Sequence, residues 1–252
     1  MVSFSHFIEA KEKFDTTLAY HDTLNSKIWD DHDTLRSDVH QALIRIAHDW
    51  ADFSRIPFSA IKDIVITGGN CNYNYTNASD IDIHLIVDLG KVIKDLDIVE
   101  DWLYDKKVLW AVHHPHIRVK GYPVELYAED HKSEIPKSDQ GVYSLIHEKW
   151  ISKPSKRDVQ SSYDDPHMIR KIKYYMKQID GLTSDISFST KKKIEQIKSL
   201  KRRFYKMRSS GIQKSGEFAL ENLVFKSLRN LGKIDKLNDF LAHAEDKEYS
   251  LD

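Results

Sequence analysis

Asp63-Ile64-Val65-Ile66-Thr67-Gly68-Gly69, then the spacer NCNYNYTNAS, then Asp80-Ile81-Asp82-Ile83-His84-Leu85, is the stretch from which the fold can be read. The first apolar run is short, β-branched and closed by two glycines, the pattern of a buried strand running into a turn. The spacer is polar and turn-rich. After it, strict alternation puts Asp80, Asp82 and His84 on one face and Ile81, Ile83 and Leu85 on the other. That is a strand with one face in a core and the other towards a cleft.

On the N-terminal side, Leu35, Val39, Leu43, Ile46, Ala47 and Trp50 recur at helical spacing and predict a helix over about 34–53. On the C-terminal side, Ile93, Leu96, Val99, Leu103 and Trp110 predict a second over about 92–110. Residues 116–128 read as a hairpin that turns at Gly121 and returns through Val124-Glu125-Leu126-Tyr127. The region 130–166, with Pro136, Pro154 and Pro166, carries little pattern, and a domain boundary is expected there near residue 155. The remainder predicts helices. One has the stripe Ile194, Ile197, Leu200, Phe204 and Met207 and stops at Ser210-Gly211. A second is capped by Ser215, covers 216–231 and ends before Gly232. A third carries Ile234, Leu237, Phe240 and Leu241. The expected fold class is α/β (α+β): a small mixed sheet with helices behind it in 1–155, then a basic helical domain in 156–252.

Composition narrows the classes. The chain has 252 residues, 40% hydrophobic and 31% charged, with no apolar run of membrane-spanning length. The first residues, MVSFSHFIEAKEKFD, lack the basic-then-apolar order of a secretory signal. Cys71 is the sole cysteine, so no intrachain disulfide forms, and a cytoplasmic location is expected. The net charge of -1 conceals an asymmetry: residues 1–134 carry 14 Lys and Arg against 23 Asp and Glu, while 135–252 carry 24 against 16. The basic share is densest around Lys191-Lys192-Lys193 and Lys201-Arg202-Arg203, which fits either a phosphate-facing surface or ordinary helix solvation.

Asp80 and Asp82 lie on one strand face, about 6.5–7 Å apart at Cα. Carboxylates so placed can share divalent cations, and no Lys or Arg between Lys62 and Lys91 neutralises them locally. The two glycines before the spacer let backbone N–H groups approach a triphosphate more closely than side chains would.

The stretch Ile66-Thr67-Gly68-Gly69, ten residues, then Asp80-Ile81-Asp82-Ile83 resembles the signature of the DNA polymerase β-like nucleotidyltransferase superfamily. The wider text, Asn72-Tyr73-Asn74-Tyr75-Thr76 before Ser79-Asp80, is similar to nucleotidyltransferase-like proteins of tailed phages, which would place the chain in the cytoplasm of an infected host. The resemblance implies a third carboxylate on a later strand, and Glu125 in Pro123-Val124-Glu125-Leu126-Tyr127 is the match. It implies that Asp80, Asp82 and Glu125 are the catalytic and metal-binding residues for Mg²⁺ or Mn²⁺. Gly68, Gly69, Asn70 and Ser79 would bind the NTP, such as ATP. The implied reaction is in-line attack of an acceptor hydroxyl on the α-phosphorus with loss of pyrophosphate. The acceptor would be RNA or tRNA held by the basic helical part, a small molecule, or a protein; a silent nucleotide-binding module is the reading from outside the enzymes. Gly69-Asn70 departs from the Ser that many members carry after the first Gly, which removes a hydroxyl contact to phosphate. No membrane partner is expected, and the oligomeric state is left open.

Other chemistry-bearing residues are less telling. His113, His114 and His116 lack the Cys/His partners of a zinc site. Cys71 has no nameable base, and His84 is either a spectator at the strand end or a substrate contact. Tyr73 and Tyr75 fit base stacking or loop packing equally. Tyr174, Tyr175, Phe204 and Tyr205 interleave with Lys and Arg as in nucleic-acid binders, although Phe204 suits the helix core.

Overall fold

The computed structural model describes residues 14–133, 140–184 and 191–250, and among these the side chains of Leu96, Asp97, Gln160 and Ser161 are not described. Leu96 as a core position and Pro136 of the weakly patterned region therefore lie outside what is described. Two compact units divide the chain: Ala19–Arg157, and Met1–Leu18 together with Asp158–Asp252. Among the described residues no helix is long and apolar enough to cross a membrane.

The first unit is a mixed sheet with helices, as the alternation and periodicity predict. Helix α1 (Ser37–Phe53) precedes β1 (Ile61–Thr67) and β2 (Ile81–Val87), which pair antiparallel. Helix α2 (Leu96–His113) crosses over to a hairpin of β3 (Arg118–Val119) and β4 (Tyr122–Asp130). The crossover makes β4 parallel to β2. Lys120 and Gly121 at the hairpin tip both have positive φ, the requirement of a type I′ turn matched to strand twist. The sheet order is β3-β4-β2-β1-β5-β6, where β5 (Val142–Ser144) and β6 (Lys149–Ser152) extend the antiparallel side.

Those last two strands correct the expectation that 130–166 is weakly structured. They have three and four residues, too short for a periodic signal, and exist because β1 and one another supply the pairing. Ile64, Ile66, Ile81, Ile83, Leu85 and Leu126 form a dry layer beneath the sheet with Val39, Leu43, Ala47 and Trp50 of α1. The segment before α1, on which the pattern is silent, adds Leu24, Ile28 and Trp29, the last stacked on Trp150 at 4.4 Å.

The second unit contains α3 (Gln160–Tyr163), α4 (Pro166–Leu182), α5 (Lys191–Ser215), α6 (Leu220–Asn230) and α7 (Lys233–Tyr249). Pro166, which closes the weakly patterned region, is the first residue of α4, where its missing N–H costs nothing, and Asp165 caps the helix by accepting from His167 N. The apolar stripe of α5 is buried as expected at Ile194, Ile197, Leu200 and Phe204. Two boundaries are corrected. Helix α5 continues through Gly211, and α6 begins at Leu220 after Ala219 with no side-chain cap, so Ser215 caps nothing. Gly211 marks a close approach, since a Cβ there would sit 2.8 Å from Glu221 Cβ and 3.3 Å from Ala219 Cβ. Gly211→Ala gains about 1 kcal/mol of helix propensity. It forces a shift that overpacking puts at about 1–3 kcal/mol. Urea unfolding is expected to show a net loss of about 1 kcal/mol, whereas a gain would mean that the two segments part freely.

Candidate metal centre

The parallel register of β2 and β4 sets Asp82 directly beside Glu125. Asp80 stands one residue before β2 on the same face as Asp82, because side chains alternate along an extended chain. Each of Asp80, Asp82 and Glu125 offers a carboxylate oxygen, and the three oxygens lie within 4.8 Å of one another. All three residues are half-buried, while their neighbours Ile81, Ile83 and Leu126 point into the core. A half-buried set of hard oxygen donors at this spacing suits Mg²⁺ or Mn²⁺ and leaves positions for water or phosphate.

Gly68 ends β1 against this group. Its φ of 83° and ψ of -164° belong to a region that only glycine occupies readily, and a Cβ there would lie 2.0 Å from Asp82 Oδ2. The glycine is therefore needed to make room for the carboxylate itself. At Gly69 a Cβ would meet Ser79 Oγ at 3.0 Å, so the second glycine lets the two ends of the spacer close.

Asn70 and Ser79 are both buried. Asn70 Nδ2 donates to Asp80 O at 2.8 Å, and its Oδ1 accepts from Asn25 Nδ2 at 2.8 Å. Trp29 Nε1 donates to Asn70 O at 2.7 Å, and Ser79 Oγ accepts from Thr76 N at 2.9 Å. These two side chains shape the loop that presents Asp80. Asn72 does similar work, donating to Gly68 O at 2.7 Å and accepting from Gly141 N at 2.9 Å. Gly141 passes so close that a Cβ would be 1.9 Å from Cys71 O.

Two side chains beside the triad have no motif. Tyr127, two residues after Glu125 on the same face, donates its hydroxyl to Glu125 Oε2 at 2.5 Å. Burial, and then the bond to Glu125 and the nearby carboxylate charges, push the Tyr127 hydroxyl well above its ordinary value, so it remains a donor. Lys107 of α2 donates to the same oxygen at 3.1 Å and sits over the Tyr127 ring at 3.4 Å. Tyr127 was findable from its strand spacing, whereas Lys107 comes from a helix and left no local signal. No Lys or Arg between Lys62 and Lys91 neutralises Asp80 and Asp82 locally, but the fold brings the Lys107 ammonium to Glu125. A cavity of about 330 Å³ opens beside this corner, lined among others by Leu89, Leu103, Tyr104, Lys107, Tyr127 and Glu129.

The remaining candidates fall into place around the loop and sheet. His84 shares the face with Asp82, stacks on Tyr127 at 4.6 Å and bonds Glu129 Oε1 at 2.6 Å. That bond from His84 holds the Glu129 carboxyl below its ordinary range despite burial. Cys71 is fully buried, and burial pushes its thiol up, which keeps it unreactive. Tyr73 is buried near Tyr20, and Tyr75 stacks on His21 at 3.9 Å, so both rings pack the loop against residues of their own unit. His113, His114 and His116 are exposed. In the helical unit Phe204 is core and Tyr175 is buried, while Tyr174 and Tyr205 are exposed.

Comparison of the chain with protein-family models, with curated proteins and with solved structures finds no match.

Proposed function

We propose that this chain is a metal-dependent nucleotidyltransferase of the DNA polymerase β-like type, moving NMP from an NTP to an acceptor hydroxyl. The observation that carries the reading is the convergence of Asp80, Asp82 and Glu125 within 4.8 Å, beside a glycine that a side chain would drive into Asp82. Asp80, Asp82 and Glu125 would hold divalent cations, which when bound supply charge neutralisation at the triphosphate and a more acidic acceptor hydroxyl. The backbone at Gly68 and Gly69 would lie along the phosphates, with Asn70 and Ser79 keeping that loop in shape. Tyr127 and Lys107 fix the orientation of Glu125. The acceptor oxygen would form its bond to the α-phosphorus as the bond to the pyrophosphate oxygen breaks, with most of the rate coming from positioning and electrostatics.

The acceptor we favour is RNA, on the strength of the basic second half. Arg202 and Arg203 are exposed on α5, as are Lys191 and Lys192. The test is incubation with each labelled NTP, Mg²⁺ or Mn²⁺ and total RNA, followed by a search for label in RNA, protein and small molecules. Filter binding should weaken with salt at a slope of about -0.7 per phosphate contact. Replacing Lys201, Arg202 and Arg203 by Gln should flatten that slope. A flat profile in the unaltered protein moves the acceptor to a small molecule or protein.

One observation favours a second reading, a silent nucleotide-binding module: Lys107 already supplies a cation to Glu125. The two readings part at Lys107→Gln. An ammonium competing for a carboxylate costs an incoming cation about 1 kcal/mol or more at 4 Å. In an active metal site the variant should therefore show its metal-induced rise in melting temperature at roughly tenfold lower Mg²⁺. In a silent module it should be destabilised with no metal response.

A further inference from the structure

The helical unit has a groove between α4 and α5. Both helices pack on α6 and α7, and they meet each other at Tyr175, whose ring lies edge-on to Phe204 at 5.0 Å and whose hydroxyl donates to Met207 Sδ at 3.8 Å. On the C-terminal side of Tyr175 a cavity of about 460 Å³ opens between them. Lys177 and Gln178 line it from α4, and Gln196, Ser199 and Arg203 from α5, over buried Leu200. Carboxylates of this unit are paired with other lysines: Asp180 with Lys233 and Lys236, Glu221 with Lys171, Glu245 with Lys198 and Glu217 with Lys226. Helix α5 itself has ten Lys and Arg and a single acid, Glu195. Among the described residues no carboxylate pairs with Lys177 or Arg203. Two like charges brought to one groove without a counter-ion disfavour each other, and an anion between them relieves that.

The rest of the lining says which anion. Gln178, Gln196 and Ser199 are uncharged donors and acceptors, which suit sugar hydroxyls and base edges rather than phosphate alone. One turn before Gln178, Tyr174 continues the α4 wall; its hydroxyl accepts from Gln178 Nε2 at 2.9 Å, and the residue is 55% exposed. An exposed ring held beside a cationic groove is a platform for a base. A duplex keeps its bases stacked on one another, so only a single strand offers phosphates and a free base together. Resting on the reading of RNA as the acceptor, we propose that the α4–α5 groove binds one single strand of RNA. Its phosphates lie at Lys177 and Arg203, its ribose hydroxyls at Gln178, Gln196 and Ser199, and an unstacked base on Tyr174.

The test is fluorescence anisotropy of a short unstructured oligoribonucleotide with the full chain, in EDTA and without NTP. Lys177→Gln with Arg203→Gln, both at exposed positions, should keep the helical circular dichroism. The pair should flatten the salt slope by about 1.4, two contacts at about 0.7 each, and lower affinity about 25-fold at about 0.1 M salt. Tyr174→Ala should lower affinity about 5- to 150-fold and leave the slope unchanged, because stacking releases no counterion. Lys191→Gln with Lys214→Gln removes the same charge from the two ends of α5 and should cost far less, since charges more than about 10 Å away are largely screened. The same sequence as DNA, or as duplex RNA, should bind more weakly. No binding of the single strand, an equal loss from the control pair, equal binding of the DNA or the duplex, or binding to phosphatidylserine vesicles in place of RNA would each overturn the proposal. The Mg²⁺-induced melting shift belongs to the triad and should be unchanged in every variant. Its absence from the unaltered protein would overturn the metal reading and leave the groove to be decided by the anisotropy.

Discussion

Asp82→Asn is expected to abolish the response to divalent cations while leaving the fold intact. The amide keeps the shape of the carboxylate and loses its charge, at the position paired directly with Glu125. Replacing groups that merely support a metal ligand costs about 10- to 100-fold in affinity, so loss of a ligand should exceed about 100-fold in metal affinity and in nucleotide transfer. Without metal the variant should be as stable as the parent or more so, because repulsion within the triad is relieved. Melting curves with and without Mg²⁺ and NTP measure both effects. A variant that keeps the cation-induced shift would show that the cation binds elsewhere.

Gly68→Ala is expected to damage both the fold and the carboxylate site. It meets two penalties at once: a backbone conformation costing about 1–3 kcal/mol for a residue with a side chain, and a Cβ placed 2.0 Å from Asp82 Oδ2. A loss of about 3 kcal/mol in urea unfolding is expected, together with loss of metal binding as the Asp82 carboxylate is displaced. The two penalties are separable by a double-mutant cycle with Asp82→Ala. Removing the Asp82 side chain should abolish the steric share and leave the backbone share, so the pair should cost less than the sum of the single changes. Strict additivity would mean that Gly68 serves the turn alone and not the carboxylate.

Much of the first unit was written in local pattern. Alternation along 80–85 determined which side of β2 is core, because a one-residue change of facing would bury Asp80 and Asp82. The periodicity of 34–53 determined the buried face of α1, and Lys120-Gly121 determined the hairpin. The motif also named the three carboxylates, although nothing local related Glu125 to Asp82 across 43 positions. That relation was decided by the parallel register of β2 and β4, which exists because α2 carries the chain across. Tertiary structure alone supplied Lys107 and tied Asn70 to Asn25 and Trp29, because those partners lie on other segments, whereas Ser79 closes the loop locally on Thr76. It also formed β5 and β6, strands too short to announce themselves, and revealed Gly211 as a contact rather than a stop. Short-range periodicity is a property of one segment against a generic core, and so it reads from the sequence. Which charged group meets which carboxylate, and which backbones touch, depends on distances between segments that no single segment encodes.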